Sequence, residues 1–431
     1  MTIIAQLRER WEDATHPFLI HPTRNLYCND VLKDDTIDLS SIQSGDVVAL
    51  IGDFEPQSIA ALLRLIDKGA IIVPLTMDTH TQHLYFFEQA GVNKVLRNGV
   101  VSNIGDRVSH PLTDTLREKR HAGLVLYSTG TTGKPKAILH DLTRFLKRFE
   151  TPRPTLRTLS FLLFDHIGGL NTLLHTLYNN GVVVTPTART VDAVLKTCAE
   201  HRVQVLPTTP TFLRMMLMSG KVPSDVPDTL RIITYGTERM DQPTLNELCA
   251  LLPNVDFRQT FGMSELGIVR VKSKARDSLY MRIGGEGVET VVVGSVLQIR
   301  SENRMLGYLN AESPFDNEGW YDTKDVVEER EGFYKVVGRQ TEVINVGGQK
   351  FMASEAESAA MQVEGVEFAK VEAKANPLTG QHIEISLSVI EGGNVDSKEI
   401  KDQLAMRLPS HMIPSRIRIA PVAVSHRFKR Q

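Results

Sequence analysis

The stretch YSTGTTGKPKAILH occupies residues 127–140, and its reading decides the fold. It continues the apolar run HAGLVLY, which suits a buried strand, so its polar residues fall in a loop at a strand end. Gly130 and Gly133 let main-chain N–H groups turn inward and form a concave nest for anionic oxygens. Ser128, Thr129, Thr131 and Thr132 add hydroxyl donors, and Lys134 and Lys136 add positive charge. On composition alone, a plain Gly/Thr turn between two strands stays open beside a phosphate-holding loop. Spacing excludes a Walker-type loop, because G-x4-G-K-S/T would need glycine at Ser128 and a hydroxyl residue at Pro135.

The flanking chain alternates strand and helix. DVVALIGD (46–53) and AIIVPLT (70–76) read as buried strands, separated by EPQSIAALLRLIDKG with helical spacing and a terminal glycine. The alternation continues through VQVLPTT and RIITYG, which implies helix-covered, mostly parallel sheets and an α/β class. Beyond residue 284 the pattern changes: ETVVVGSVLQIRS and GFYKVVGR predict a small antiparallel, barrel-like part. VEFAKVEAKA, HIEISLSVI and RIRIAPV, with helices over SEAESAAMQ and KEIKDQLAMRL, predict a small α+β unit after the junction GRQTEVINVGG. The expected division is a large domain over 1–338 and a small, mobile one over 339–431.

A chain of 431 residues is too long for one core. The 49 Lys plus Arg against 51 Asp plus Glu leave no basic excess of the kind that nucleic acid requires. Three scattered cysteines give neither a disulfide framework nor zinc-ligand spacing, and fit a reducing compartment. The N-terminus does not read as a signal peptide, and no apolar run reaches membrane-spanning length. A cytoplasmic location is expected, and the oligomeric state stays open.

The run SerThrGlyThrThrGlyLysProLys resembles the phosphate loop of the adenylate-forming superfamily, which contains acyl- and aryl-CoA ligases, luciferases and peptide-synthetase adenylation domains. Further segments follow in family order. YGTE (235–238) resembles the adenine-contacting turn, and QTFGMSE (259–265) is similar to Q-G-Y-G-x-T-E. GWYDTKD (319–325) resembles Y-x-T-G-D, GRQTEVINVGGQKF (338–351) the interdomain segment, and SHRFKRQ (425–431) the region of the C-terminal lysine. The resemblance runs from about residue 40 onward and leaves a short N-terminal portion.

This resemblance implies attack of a small carboxylic acid on the α-phosphate of ATP, giving an acyl adenylate and pyrophosphate. The loop residues with Lys136 would hold phosphates, and Glu265 beside Ser264 would ligate Mg2+. Gly236, Thr237, Glu238, Phe261, Gly262 and Ser264 would contact the nucleotide, Phe261 stacking on adenine in place of a tyrosine and Gly262 also bordering the substrate. Asp325 and Arg339 would hold the ribose, Thr341 would be the hinge, and Lys429 would bridge the forming acyl-adenylate oxygens. In FLLFDHIGGLN (161–171), His166 falls at a substrate-contacting position, with Tyr235 and Gly236 as the pocket floor. Gly347 and Gly348 resemble glycines that line a pantetheine tunnel. The acceptor would then be coenzyme A or the phosphopantetheine of an acyl carrier protein, and an amine is a further alternative. Three departures, Lys324 for glycine, Thr341 for Asp or Lys and Phe428 for glycine, keep a non-catalytic nucleotide-binding protein as another reading.

Overall fold

The computed structural model describes residues 2–28, 30, 37–128, 134–390 and 396–429. Thr129, Gly130, Thr131, Thr132 and Gly133 lie outside the described residues.

Among the described residues, two seven-stranded sheets carry the large part of the chain. In one, Gly123–Tyr127, Ile71–Leu75, Val47–Ile51 and Lys94–Arg97 run parallel. The first three of these strands are buried at every residue, as parallel strands covered on both faces must be. Helix Pro56–Asp67 forms one crossover, with proline at its first turn and Ile59, Leu62 and Leu63 turned inward. The return strand Ala137–Asp141 breaks the parallel pattern and pairs antiparallel with Gly123–Tyr127, Tyr127 lying opposite Ala137. These two strands are therefore neighbours in the sheet, with Ser128 and Lys136 at the same end of it. The run AILH makes this possible, being apolar enough for a second buried strand.

The other sheet contains the parallel strands Thr158–Leu159, Val205–Thr208, Ile232–Tyr235 and Asp256–Gln259. Beyond it lies a curled, antiparallel six-stranded sheet that includes Val288–Val293, Val296–Ser301, Tyr321–Arg330 and Phe333–Arg339. The small C-terminal domain packs Val366–Asn376, Gly380–Val389 and Arg416–Ile419 against helices Ala353–Ala360 and Ser397–Ala405. Its apolar side chains, from Ile344 to Met412, form a cluster of their own.

Arg214, on helix Pro210–Met218, ties that domain to the rest. It is 7% exposed and donates to the main-chain carbonyls of Met361, Val366 and Glu367 at 2.9–3.2 Å. Among the described residues, no helix is long and apolar enough to cross a membrane.

Candidate functional site

Two cavities meet at Thr237, Thr260, Phe261 and Gly262. The larger, of about 430 Å³, lies between the curled sheet and the small domain and is lined by Glu238, Asp325, Arg339, Ser354 and Lys429. The other, of about 310 Å³, lies between helix Ile167–Tyr178 and the strands Val205–Thr208 and Ile232–Tyr235. The residues at the meeting point follow the ends of neighbouring parallel strands, where an α/β sheet exposes its ligand-binding edge.

At the loop neck, Ser128 N–H donates to the Lys136 carbonyl at 3.1 Å, and Lys136 N–H donates to Ser128 Oγ at 3.0 Å. The Lys136 ammonium lies 4.7 Å from the Tyr308 ring centre. Strand Gly307–Tyr308 borders the return strand, and Tyr308 OH donates to Glu265 Oε1 at 2.8 Å. Glu265 thus stands at the neck through Tyr308, outside both cavities. Ser264 is held by its carbonyl, 2.6 Å from Nε2 of buried His140. Burial pushes that imidazole down to about 4, so it is a neutral donor.

Among the described residues there is no cluster of three metal-ligating side chains. A single carboxylate is nevertheless a fitting donor for magnesium, which takes its remaining ligands from phosphates and water. Glu265, at the loop neck, presents one such carboxylate.

Asp325 is 5% exposed and pairs with Arg339 Nε at 2.8 Å, while Arg339 also donates to the Thr323 carbonyl. Burial outweighs the Arg339 charge and pushes the carboxyl up to about 6. Lys324 adopts φ 60°, the left-handed conformation in which a glycine would be unstrained. It is steadied by Asp322, which accepts from its main-chain N–H and from its ammonium at 2.6 Å.

Tyr235 departs from the expected role. It ends its strand with the ring in the apolar core, 1% exposed, and lines neither cavity. Its carbonyl accepts from Thr260 N–H at 2.7 Å. Gly236 also lines neither cavity, and a methyl there would overlap Thr260. Alternation of side chains along the strand accounts for the outcome: Thr234 faces the smaller cavity, so Tyr235 faces away. Gly347 and Gly348 form the tip of the hairpin Val343–Met352, with φ 58° and 87°, outside both cavities. Thr341 lies exposed in the short 3-10 turn Gln340–Glu342.

His166 caps helix Ile167–Tyr178, its Nδ1 accepting from Gly168 N–H at 3.0 Å, which leaves Nε2 as the N–H. Burial and the charges of Lys429 and Arg427 hold it well below the usual histidine range, hence neutral. Lys429 lines a narrow gap together with His166 and Thr237 and also opens on the larger cavity. Burial first, then Arg427, pushes its ammonium down to about 8.

The sequence reading missed what carries Lys429 there. Arg427 pairs with buried Asp165 at 3.2 Å. Phe428 packs on Phe161 and Phe212, with centroids 5.0 and 5.4 Å away, and its carbonyl accepts from Thr209 Oγ1 at 2.8 Å. Phe428 does this at φ 52°, the backbone state that a glycine would provide. Asp165 is therefore committed to a guanidinium. The signal lay in FD at 164–165 and RF at 427–428, which only the fold brings together.

A family model described as "AMP-binding enzyme" matches residues 38–298. The chain belongs to that family. Among curated relatives of this AMP-binding chain, surfactin synthase subunit 2 of Bacillus subtilis is 23% identical over 86% of the chain and 12% of its own length. The medium/long-chain fatty acid–acyl-carrier-protein ligase FadD10 of Mycobacterium tuberculosis is 28% identical over 56% of the chain and 51% of its own length. The chain thus spans about half or less of these relatives. Among solved structures, o-succinylbenzoate CoA synthetase (MenE) of Bacillus subtilis, in complex with its acyl-adenylate intermediate, shares the fold. Its TM-score is 0.77 at 20% identity, covering 99% of this chain and 96% of that one.

Proposed function

We propose that this AMP-binding chain activates a carboxylic acid with ATP, forming an acyl adenylate and pyrophosphate, and then passes the acyl group to a thiol. The observation that carries this reading is the position of Lys429, buried in the narrow gap that it lines with His166 and Thr237 and opening on the Asp325–Arg339 cavity.

A carboxylate oxygen attacks the α-phosphorus, the bond to the bridging oxygen breaks, and pyrophosphate leaves. Two anions approach each other, so the barrier is electrostatic and positional. Lys429 donates to the oxygens that the acid and the α-phosphate come to share. Ser128, Lys136 and loop residues 129–133 hold the leaving phosphates. Glu265 is the ligand for Mg2+, which when bound neutralises part of the triphosphate charge. Phe261 lies against adenine, with Thr237, Glu238 and Gly262 around it, and Asp325 and Arg339 hold the ribose hydroxyls. The His166 Nε2–H steadies the substrate carboxylate.

In the second half-reaction a thiol attacks the acyl carbonyl and AMP leaves. The domain beyond residue 338 pivots at Thr341 and withdraws Lys429, bringing Gly347 and Gly348 towards the site. Coenzyme A is the acceptor that we favour. A carrier-protein thiol is the second reading, favoured by FadD10, whose name specifies a carrier protein.

ATP–pyrophosphate exchange over a panel of carboxylic acids tests the activation step. Acid-dependent exchange is expected, and its absence with every acid would overturn the reading. Thioester formed with carrier protein but never with coenzyme A would reassign the acceptor. Nucleotide binding should also depend on Asp325. Because its carboxyl titrates at about 6, the hydrogen-bond-accepting carboxylate is lost as pH falls. AMP affinity measured by calorimetry is therefore expected to weaken below pH 6, and Asp325→Asn should be weak throughout and lose this dependence.

A further inference from the structure

One helix of the large domain, Pro210–Met218, meets the chain beyond residue 338 at two places. At its start, Thr209 Oγ1 donates to the Phe428 carbonyl and Phe212 packs on the Phe428 ring. Further along, Arg214 reaches a different part of the small domain. Its Nη2 donates to the carbonyls of Met361 and Val366, each at 2.9 Å, and its Nε to that of Glu367 at 3.2 Å.

Met361 caps the C-terminus of helix Ala353–Ala360, and Val366 opens the strand Val366–Asn376. Carbonyls at a helix end have no N–H ahead of them in the helix and carry its negative pole, so a cation is stabilised there. A guanidinium suits the place better than an ammonium, because its planar fork holds several acceptors in fixed directions. On its own side, Arg214 Nη1 lies 3.4 Å from Thr244 Oγ1 of helix Gln242–Leu251. Arg239, just after the turn YGTE, reaches the Ser354 carbonyl and Ser358 Oγ of helix Ala353–Ala360 at 3.3 and 3.4 Å, longer than the Arg214 bonds to Met361 and Val366.

We propose that Arg214 is a positioning residue for adenylate formation: it clasps the domain beyond residue 338 in the orientation that sets Lys429 beside His166. The inference rests on the two-step function proposed above and adds what holds the chain ready for the first step. The three carbonyls belong to the part of the chain that pivots, and the guanidinium to the part that stays. Hydrogen bonds are short and directional, so a pivot at Thr341 breaks all three together, and the clasp is either closed or open. Interfaces between domains of one chain are commonly mobile, and a few strong bonds then decide which orientation is populated. Bonds from a charged donor are of the stronger kind. Once the domain has turned, water bonds the freed donors, which keeps the second orientation accessible.

The test reads orientation and chemistry separately. Spin labels on Leu84→Cys, 82% exposed in the large domain, and on Leu378→Cys, 95% exposed in the small one, report the distance between the domains by double electron–electron resonance. The background carries Cys249→Ser, because Cys28 and Cys198 are buried. One dominant distance is expected with Arg214 present, and a second population of comparable size in Arg214→Ala. In the unlabelled chain, Arg214→Ala should slow acyl-adenylate formation roughly tenfold or more. Thioester formation from a supplied acyl adenylate should be unchanged or faster. Arg214→Lys keeps the charge but loses the fork, so it should move both readouts the same way by less, and it stands in if the alanine variant does not fold. An unchanged distance distribution, or equal loss of both half-reactions, overturns the inference and leaves the activation reading standing. If the wild-type chain activates no acid, the activation reading falls, and the distances alone decide whether Arg214 clasps the domain.

Discussion

Replacing Lys429 by alanine is expected to slow acyl-adenylate formation by roughly a hundredfold to a thousandfold, the usual effect of removing one preorganised donor from a developing charge. Thioester formation from a supplied acyl adenylate should be spared, because the lysine acts on the first step only. Its titration gives a second signature. An ammonium lowered to about 8 is charged below that pH and loses its proton above it. The adenylation rate is therefore expected to fall as pH rises past 8, with the midpoint moved upward when the triphosphate is bound. His166, held neutral, adds no limb between pH 6 and 8. Single-turnover rates of the two half-reactions across this range make the measurement. Equal loss of both half-reactions in Lys429→Ala would refute the role.

Phe428→Ala is expected to release the segment that presents this lysine. The ring fills a slot between Phe161 and Phe212, and losing its burial and aromatic contacts costs about 2 kcal/mol, roughly thirtyfold in docking. Adenylate formation should fall by about that factor, while thioester formation from a supplied adenylate is unchanged or faster. Phe428→Gly provides the control. It removes the same ring but frees a backbone held at φ 52°, a state that costs an L-residue about 1–2 kcal/mol. Its defect should be milder than that of alanine. If alanine and glycine behave alike, backbone conformation is not part of the latch. If neither slows adenylation, the slot is not what positions Lys429.

These two residues also mark where the sequence was legible. Strand–helix alternation from residue 46 and the antiparallel segments near 288–339 are local patterns, set by burial periodicity, and the fold follows them. Phe428 read as a departure from the expected glycine, because its consequence depends on Phe161 and Phe212, more than 200 positions away. The Arg427–Asp165 pair spans 262 positions and left no local trace. Tyr235 was misplaced for a different reason. Strand alternation sends its ring into the core, and within YGTE only Thr237 and Glu238, beyond the strand, reach the cavity. Lys324 shows the converse. The glycine is gone but the left-handed turn persists, held by Asp322.

The central claim is that a carboxylate oxygen attacks the α-phosphorus of ATP, and following that oxygen tests it most directly. An acid that supports pyrophosphate exchange, labelled with heavy oxygen in its carboxylate, is turned over with ATP and a thiol acceptor, and the products are weighed by mass spectrometry. One labelled oxygen is expected in AMP and none in pyrophosphate. Label in inorganic phosphate or pyrophosphate, with AMP unlabelled, would contradict it.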